Sequence, residues 1–472
     1  MAKPRTISEL RAADYRVLSV KEELRKNLIS RLREGISPFP SLVGYEDTVI
    51  PQVENAILSG QDLVLLGERG QAKTRLARSL VELLDQEVPA IAGCEINDDP
   101  FSPICRQCRS RVEAEGDDVD IEWIGRERRY GEKLATPDIT IADLIGEVDP
   151  IKVAEGRYLS DELTIHYGLI PRTNRGIFCI NELPDLAERI QVGLLNVMEE
   201  RDVQIRGYKV RLPLDLYVVA SANPEDYTNR GRIITPLKDR FGSQVRTHYP
   251  RTVENEIAIM EEERTSFPGE IEVVIPEYMK EIVAEITHLA RKSGDISQRS
   301  GVSVRVSITN YENLLSNALK RAIRLRETQA APRVSDLPAV VSSMTGKIEV
   351  ESLGDLREDR IVEKLIQGAV LAAFNARFRP SEFEQLVTRF ETGLVMEASE
   401  SMPSEKYMAK ALELPGMRQA VDRLNREGQG AGPAAEDGPA VVASAIEFIL
   451  EGLHLSRKLN KDRTAGKTRY RR

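Results

Sequence analysis

The sequence predicts an α/β core, a parallel sheet with flanking helices, followed by a second half that is almost wholly helical. Three observations lead there. Between Leu42 and Pro250 short β-rich runs (LVLL, VPAIAG, GIFCIN, LYVVASAN) alternate with helical stretches (KTRLARSLVELL, LAERIQVGLLNVMEE), the rhythm of strands joined by crossover helices. Beyond Pro250 the strand signals largely vanish and long 3.6-period patterns take over. The chain has 472 residues, which at about 150 per domain leaves room for about three domains and argues against one hydrophobic core.

Taken in order, residues 1–40 read as an N-terminal helical extension, because SVKEELRKNLISRLREG, Ser19 to Gly35, sets apolar residues at helical spacing among paired opposite charges. Residues 41–250 hold the α/β core. Residues 251–345 form a helical lid, carried by TVENEIAIMEEER, PEYMKEIVAEITHLARK and SITNYENLLSNALKRAIRLRE, and residues 346–426 a C-terminal helical region around REDRIVEKLIQGAVLAAFNARF. The aperiodic EGQGAGPAAEDGP, residues 427–439, reads as a flexible linker. Residues 440–472 close the chain with a last helix, Ala440 to Leu459, and a basic end, KDRTAGKTRYRR, read as solvated. No repeat at solenoid periods is present.

Composition removes several classes of function. Lys and Arg number 66 against 75 Asp and Glu, a net charge of −9, which disfavours a nucleic-acid coat. The N-terminus MAKPRTISELRAADYR has no apolar signal core, and the longest apolar stretches, such as Ala440 to Leu450, fall short of the ~20 residues of a bilayer span, so no membrane segment is expected. Four cysteines cannot staple so long a chain, and the closeness of Cys94, Cys105 and Cys108 reads as metal or redox chemistry in a reducing compartment, with the cytoplasm as the expected location.

The strongest chemical signal is LVLLGERGQAKTRLARSL, a buried-type strand running through Gly67, Glu68, Arg69, Gly70, Gln71 and Ala72 into a helix that begins near Lys73 and Thr74. In such a P-loop, backbone N–H groups hold phosphate oxygens of ATP, the Lys ammonium bridges the terminal phosphates and the following hydroxyl binds Mg²⁺. Ala72 stands where the usual pattern has Gly, the smallest replacement that carries a Cβ. A second signal, GIFCINEL, is an apolar strand ending in Glu182, placed to polarise an attacking water. Asn181 takes the Mg²⁺-side position normally held by Asp; it contributes a hydrogen-bond acceptor and no charge. A third, LYVVASANPEDY, runs into Asn223, and RGRIITPLKDRFGSQV then supplies Arg230, Arg232 and Arg240. Of these Arg240 is the choice for a guanidinium that stabilises phosphoryl-transfer charge, against a surface pairing with Asp239. Arg305, in GVSVRVSI, opens a lid helix.

These motifs together resemble the AAA+ ATPases of the helix-2-insert group, and within it the I subunit of magnesium chelatase and the MoxR-like ATPases. GERGQAKT, GLIPRTNRGIFCINELPDLAERIQVGLLNVMEER, ASANPED, PLKDRFG and GVSVR fall in that family's order, from about Leu42 to Arg305. The resemblance implies a hexameric ring with nucleotide at subunit junctions, Asn223 orienting the water, Arg240 acting in trans and Arg305 in cis. It also implies a partner carrying a von Willebrand factor A domain, which ATP is used to remodel or to load with metal. Thr140 to Pro150 resembles the insert in helix 2, and Val203 to Leu216 the hairpin before the Asn strand.

Two other readings use the same residues. A nucleotide-gated scaffold would bind ATP and assemble but hydrolyse little, because Asn181 weakens the metal site. An enhancer-binding transcription activator shares the core fold, but neither its GAFTGA loop nor a helix-turn-helix pattern is found. In GCEINDDPFSPICRQCR the C-x₂-C turn has zinc-knuckle spacing; a structural Zn²⁺ wants four ligands, no fourth is evident, and buried thiols are the preferred reading, as for Cys179 in its strand. His166, His248, His288 and His454 form no ligand-spaced pair.

Overall fold

A computed structural model describes residues 3–148, 164–199, 212–223, 231–265, 269–297, 301–350, 358–427, 438–464 and 467–472. The chain divides into two units, Met1–His248 and Tyr249–Arg472.

In the first unit α1 (Ile7–Ala12), α2 (Val20–Glu34) and α3 (Ile50–Leu58) precede β1 (Leu63–Leu66) and α4 (Lys73–Ser79). There follow β2 (Glu87–Ile91), α5 (Arg106–Glu115), β3 (Ile121–Gly125), β4 (Tyr130–Leu134), α6 (Ile141–Leu144), β5 (Gly146–Val148), β6 (Ile165–Tyr167), β7 (Gly176–Asn181), β8 (Leu216–Ala222) and β9 (Ser243–Arg246). Five strands make one sheet in the order β4-β7-β8-β1-β9, every neighbouring pair parallel. The three inner strands β7, β8 and β1 are buried along their whole length, as a parallel sheet covered on both faces requires. Alternate residues serve opposite cores: Leu63, Leu65, Ile177, Cys179, Tyr217 and Val219 face α2, α3 and α4, while Val64, Leu66, Phe178, Ile180 and Val218 face the other layer.

The N-terminal extension is docked onto this core. Ser19 and Glu22 form a reciprocal capping box that starts α2, and Gly35, at φ 68°, ends it in the left-handed conformation that favours glycine. Glu23 on α2 is buried and receives both guanidinium nitrogens of buried Arg129, at 2.8 and 2.6 Å, while Arg129 Nε donates to the Arg175 carbonyl at 2.7 Å.

One expectation about the sheet is corrected here. VPAIAG does not enter the parallel sheet: β2 pairs antiparallel with β3 in a separate two-stranded sheet, Glu87 opposite Gly125 and Ile91 opposite Ile121. The sheet's edges are instead β4 and β9, whose mixed sequences YGEKL and SQVR carry no apolar run. Of the expected insert at 140–150, the described part is α6 and β5, which pairs antiparallel with β6. Most of the expected hairpin, 203–211, lies outside the described residues.

In the second unit the helices Val253–Glu263, Glu277–Lys292, Val304–Leu325, Glu358–Arg377, Glu384–Glu391, Ser404–Ala411, Met417–Arg426 and Pro439–Leu455 share one core running from Met260 to Tyr470. The lid, C-terminal region and last helix read separately in the sequence therefore fold around a common interior. Short strands β10 (Glu272–Val273) and β11 (Gln329–Ala330) pair in parallel. The basic end is not solvated coil. After β12 (Met396–Ala398), β13 (Asn460–Thr464) and β14 (Lys467–Arg471) form an antiparallel sheet in the order β12-β14-β13, with Tyr470 buried and Arg469 paired to Glu397 at 2.9 Å. Most of the expected linker, 428–437, lies outside the described residues.

Candidate functional site

The loop between β1 and α4 lies at the carboxyl end of the sheet, where β1 is flanked by β8 on one side and β9 on the other, the place where open α/β sheets bind ligands. Gly67 has no room for a side chain: a Cβ there would lie 1.9 Å from Thr247 Oγ1 and 2.3 Å from Gln71 Oε1. Gln71 is buried and braces the loop, its Oε1 accepting from the Glu68 N–H at 3.0 Å and from Thr247 Oγ1 at 2.8 Å, while the Tyr45 hydroxyl donates to its carbonyl at 2.8 Å. Burial pushes the Tyr45 phenol up to about 12, so it remains a donor. Gly70 (φ 76°) and Ala72 (φ 51°) both take left-handed backbone; at Ala72 the missing glycine is replaced by an accepted strain, about 1 kcal/mol. A cavity of about 450 Å³ opens beside the loop, lined in part by Gly67, Glu68, Gln71, Lys238 and Arg246.

Lys73 is buried and its ammonium converges on three oxygens: the Gly67 carbonyl, the Glu68 carbonyl at 2.9 Å and Asn223 Oδ1 at 2.7 Å. The structure thus joins the first and third sequence signals through one side chain. The first and second meet at Thr74, whose Oγ1 lies 3.5 Å from Asn181 Oδ1; that oxygen also accepts from Ser221 Oγ at 3.1 Å. Glu182 follows in left-handed backbone, φ 54°, half-buried, its N–H donating to the same Ser221 hydroxyl at 3.2 Å. Residues from the ends of β1, β7 and β8 are therefore gathered at the carboxyl end of the sheet.

One member was missed in the sequence. Glu132, on β4, accepts from Asn181 Nδ2 at 2.8 Å and from Arg78 of α4 at 2.7 and 3.0 Å. Partial burial raises its pKa, but the hydrogen bonds and charge of Arg78, with help from Tyr130 and Asn181, outweigh that and hold it below the ordinary carboxylate value, so it stays charged. A carboxylate thus stands one residue contact behind the neutral Asn181. No spacing rule marks it, because only the β4–β7 register sets Leu134 opposite Asn181 and brings the strand alongside.

The arginines are placed less centrally. Arg240 ends the helix Thr235–Arg240, partly exposed, with Asp239 at 3.7 Å; Arg232 is exposed with Glu188 at 3.9 Å; Arg230 lies outside the described residues. Arg305, in the second unit, sits in the first turn of Val304–Leu325, exposed, its N–H donating to the capping Ser303 hydroxyl at 3.1 Å.

The cysteines form a separate cluster. Cys94, Cys105 and Cys108 come together with Asp98, all four ligand atoms within 4.8 Å of one another. Cys179 is apart from them, buried in β7.

The family model described as the Sigma-54 interaction domain matches residues 155–240. The chain is 23% identical over 295 residues to the magnesium-chelatase subunit ChlI of Mesostigma viride, covering 60% of this chain and 77% of that one. It is 25% identical over 335 residues to the chloroplastic ChlI subunit of Oryza sativa subsp. indica, covering 65% and 74%. Among solved structures, a BchI–BchD magnesium-chelatase complex aligns at 20% identity and TM-score 0.36, covering 70% of this chain and 98% of that one. NtrX of Brucella abortus with ADP aligns at 17% and 0.39, covering 81% and 72%. The strand order, the loop that cradles Lys73 and the sequence similarity to the ChlI subunits together give the chain the P-loop core fold of the AAA+ type and a resemblance to subunit I of magnesium chelatase.

Proposed function

We propose that the chain is the ATP-hydrolysing motor subunit of a magnesium-chelatase-like assembly, coupling turnover to remodelling or metal loading of a partner. The observation that carries this reading is Lys73, buried and held between the loop carbonyls and Asn223 at 2.7 Å, a cation stored where terminal phosphates would draw it out. In this reading the backbone of Gly67, Glu68, Arg69, Gly70, Gln71 and Ala72 binds the ATP phosphates. Thr74 and Asn181 hold Mg²⁺, with Glu132 supplying the charge that Asn181 lacks; the donor set, a hydroxyl and an amide oxygen 3.5 Å apart with a carboxylate behind, fits a hard cation. Bound Mg²⁺ neutralises charge developing on the phosphates. Glu182 takes the proton of the attacking water and Asn223 orients it. Arg240 acts on a neighbouring subunit's nucleotide and Arg305 on its own, within a hexameric ring that serves a von Willebrand factor A domain partner in the cytoplasm.

A second reading, the scaffold that binds ATP and hydrolyses little, is favoured by one feature alone, the neutral Asn181. Steady-state ATP turnover of wild type and Glu182→Gln, with light scattering followed with and without ATP and Mg²⁺, separates the two. The motor reading expects wild-type turnover, a fall of about 10²-fold or more in the variant, and ATP-driven assembly of both. Assembly on ATP with turnover in neither protein would replace the motor by the scaffold. If Asn181→Asp then raises turnover sharply, the scaffold account gains its cause.

A further inference from the structure

We propose that Cys94, Asp98, Cys105 and Cys108 form a structural zinc site that fastens α5 to the β2–β3 pair. This stands apart from the nucleotide reading and uses none of its residues. Three thiol sulfurs and a carboxylate oxygen within 4.8 Å of one another fit a single tetrahedral ion, whose Zn–S bonds of about 2.3 Å set sulfurs roughly 3.8 Å apart; a multi-iron cluster would spread them farther.

The carboxylate gives an independent reason. Asp98 is fully buried, Oδ2 accepts from the Cys105 N–H at 3.0 Å, and Oδ1 has no hydrogen-bond donor. A buried carboxylate oxygen left without a partner is strongly disfavoured, and a cation held by the adjacent sulfurs satisfies it. The sulfurs are already oriented as ligands. The Asp98 N–H donates to Cys94 Sγ at 3.4 Å and the Cys108 N–H to Cys105 Sγ at 3.3 Å, amide contacts that favour thiolate over thiol.

The third observation is α5 itself. Among the residues of RQCRSRVEAE, Cys108 is the buried one, so the helix lacks the apolar stripe by which helices ordinarily dock. Cys105 caps it and Cys108 lies one turn in, while Cys94 and Asp98 come from the loop that leaves β2. A metal bridging the two pairs replaces the missing apolar contact. Zinc is the choice because a sulfur-rich tetrahedral set with one hard oxygen suits a borderline-soft ion without redox chemistry.

The full-length protein, expressed in zinc-supplemented medium and purified without chelator, is expected to carry about one zinc per chain by plasma mass spectrometry. Cys179→Ser should keep all of it, Cys108→Ser should lose at least about nine-tenths, and Asp98→Asn should surrender zinc to 4-(2-pyridylazo)resorcinol at least about tenfold more readily. Wild-type protein with no stoichiometric zinc and a Cys105–Cys108 disulfide in its peptide map would overturn the proposal, as would undiminished zinc in Cys108→Ser. Should Cys108→Ser fail to fold, Co²⁺ exchange of the wild type decides. Visible absorption of tetrahedral thiolate-bound cobalt supports the site, and its absence refutes it.

Discussion

Ala72 and Glu132 show how single residues adjust a common loop. Ala72 keeps a left-handed backbone that glycine adopts without penalty. Ala72→Gly should relieve about 1 kcal/mol of strain and return part of it through a freer unfolded chain, a net gain of about 0.5 kcal/mol. Urea unfolding of the first unit's signal checks it; a lower midpoint would show that the strain is not there. Glu132 leads to a different expectation. If its charge compensates for Asn181, Glu132→Gln should leave nucleotide binding in place while the Mg²⁺ concentration for half-maximal turnover rises by about tenfold, and Asn181→Asp should restore it in the double variant. A Mg²⁺ titration of turnover in the four proteins measures this, and equal midpoints would reduce Glu132 to a partner for Arg78. The loop residues were legible in the sequence because they are contiguous. Glu132 and Asp98 were not, since the first reaches the site through strand adjacency and the second is one acid among several in a loop, distinguished only by burial.

Among elements, the fully buried strands and the long helices were readable from apolar runs and 3.6-residue spacing, while the edge strands and the terminal hairpin were not. In KDRT and KTRYR the charged positions outweigh the alternation that puts Tyr470 inside and Arg469 and Arg471 outside, against Glu397 and Asp462. Helix pairing in the second unit depends on charge as well as apolar contact. Glu256, buried on Val253–Glu263, receives Arg291 of Glu277–Lys292 at 2.7 and 3.0 Å and the hydroxyl of Ser307 from Val304–Leu325 at 2.5 Å, with His288 at 3.4 Å. Burial raises its pKa, but His288, Arg291 and Ser307 outweigh burial and hold it below its ordinary 4.5. A depressed carboxylate contributes stability that is present above the unfolded value and lost as pH falls through the folded one. Acid titration of the second unit's stability should therefore decline below about pH 4.5, and Glu256→Gln should cost about 3 kcal/mol at neutral pH and flatten that decline. An unchanged slope in the variant would assign the acid sensitivity elsewhere.

At the scale of the whole molecule, two units with separate interiors predict separate melting. Calorimetry should resolve two transitions, and ATP with Mg²⁺ at about 100 times its dissociation constant should stabilise the first unit by about 2.7 kcal/mol. If Arg305 reaches nucleotide bound by its own chain, the second transition should rise too, and Arg305→Ala should abolish that rise while leaving the first. One transition insensitive to nucleotide would contradict both statements.

The β2–β3 pair has a consequence of its own. The chain leaves through Glu87 and comes back through Gly125, which lie opposite each other, and neither strand belongs to the five-stranded sheet. Everything between them, α5 and the cysteine loop included, is a loop closed at its neck, like a cassette on a short handle. The segment is nevertheless rooted in the first unit: Ile91, Ile96, Cys105, Cys108 and Val119 share a core with Val64 and Phe178 of the sheet, and Asn174 Nδ2 donates to the Ile96 carbonyl at 3.0 Å, so a change of length is accommodated in exposed stretches such as Gly116 to Asp118 and not at the buried positions that brace β7.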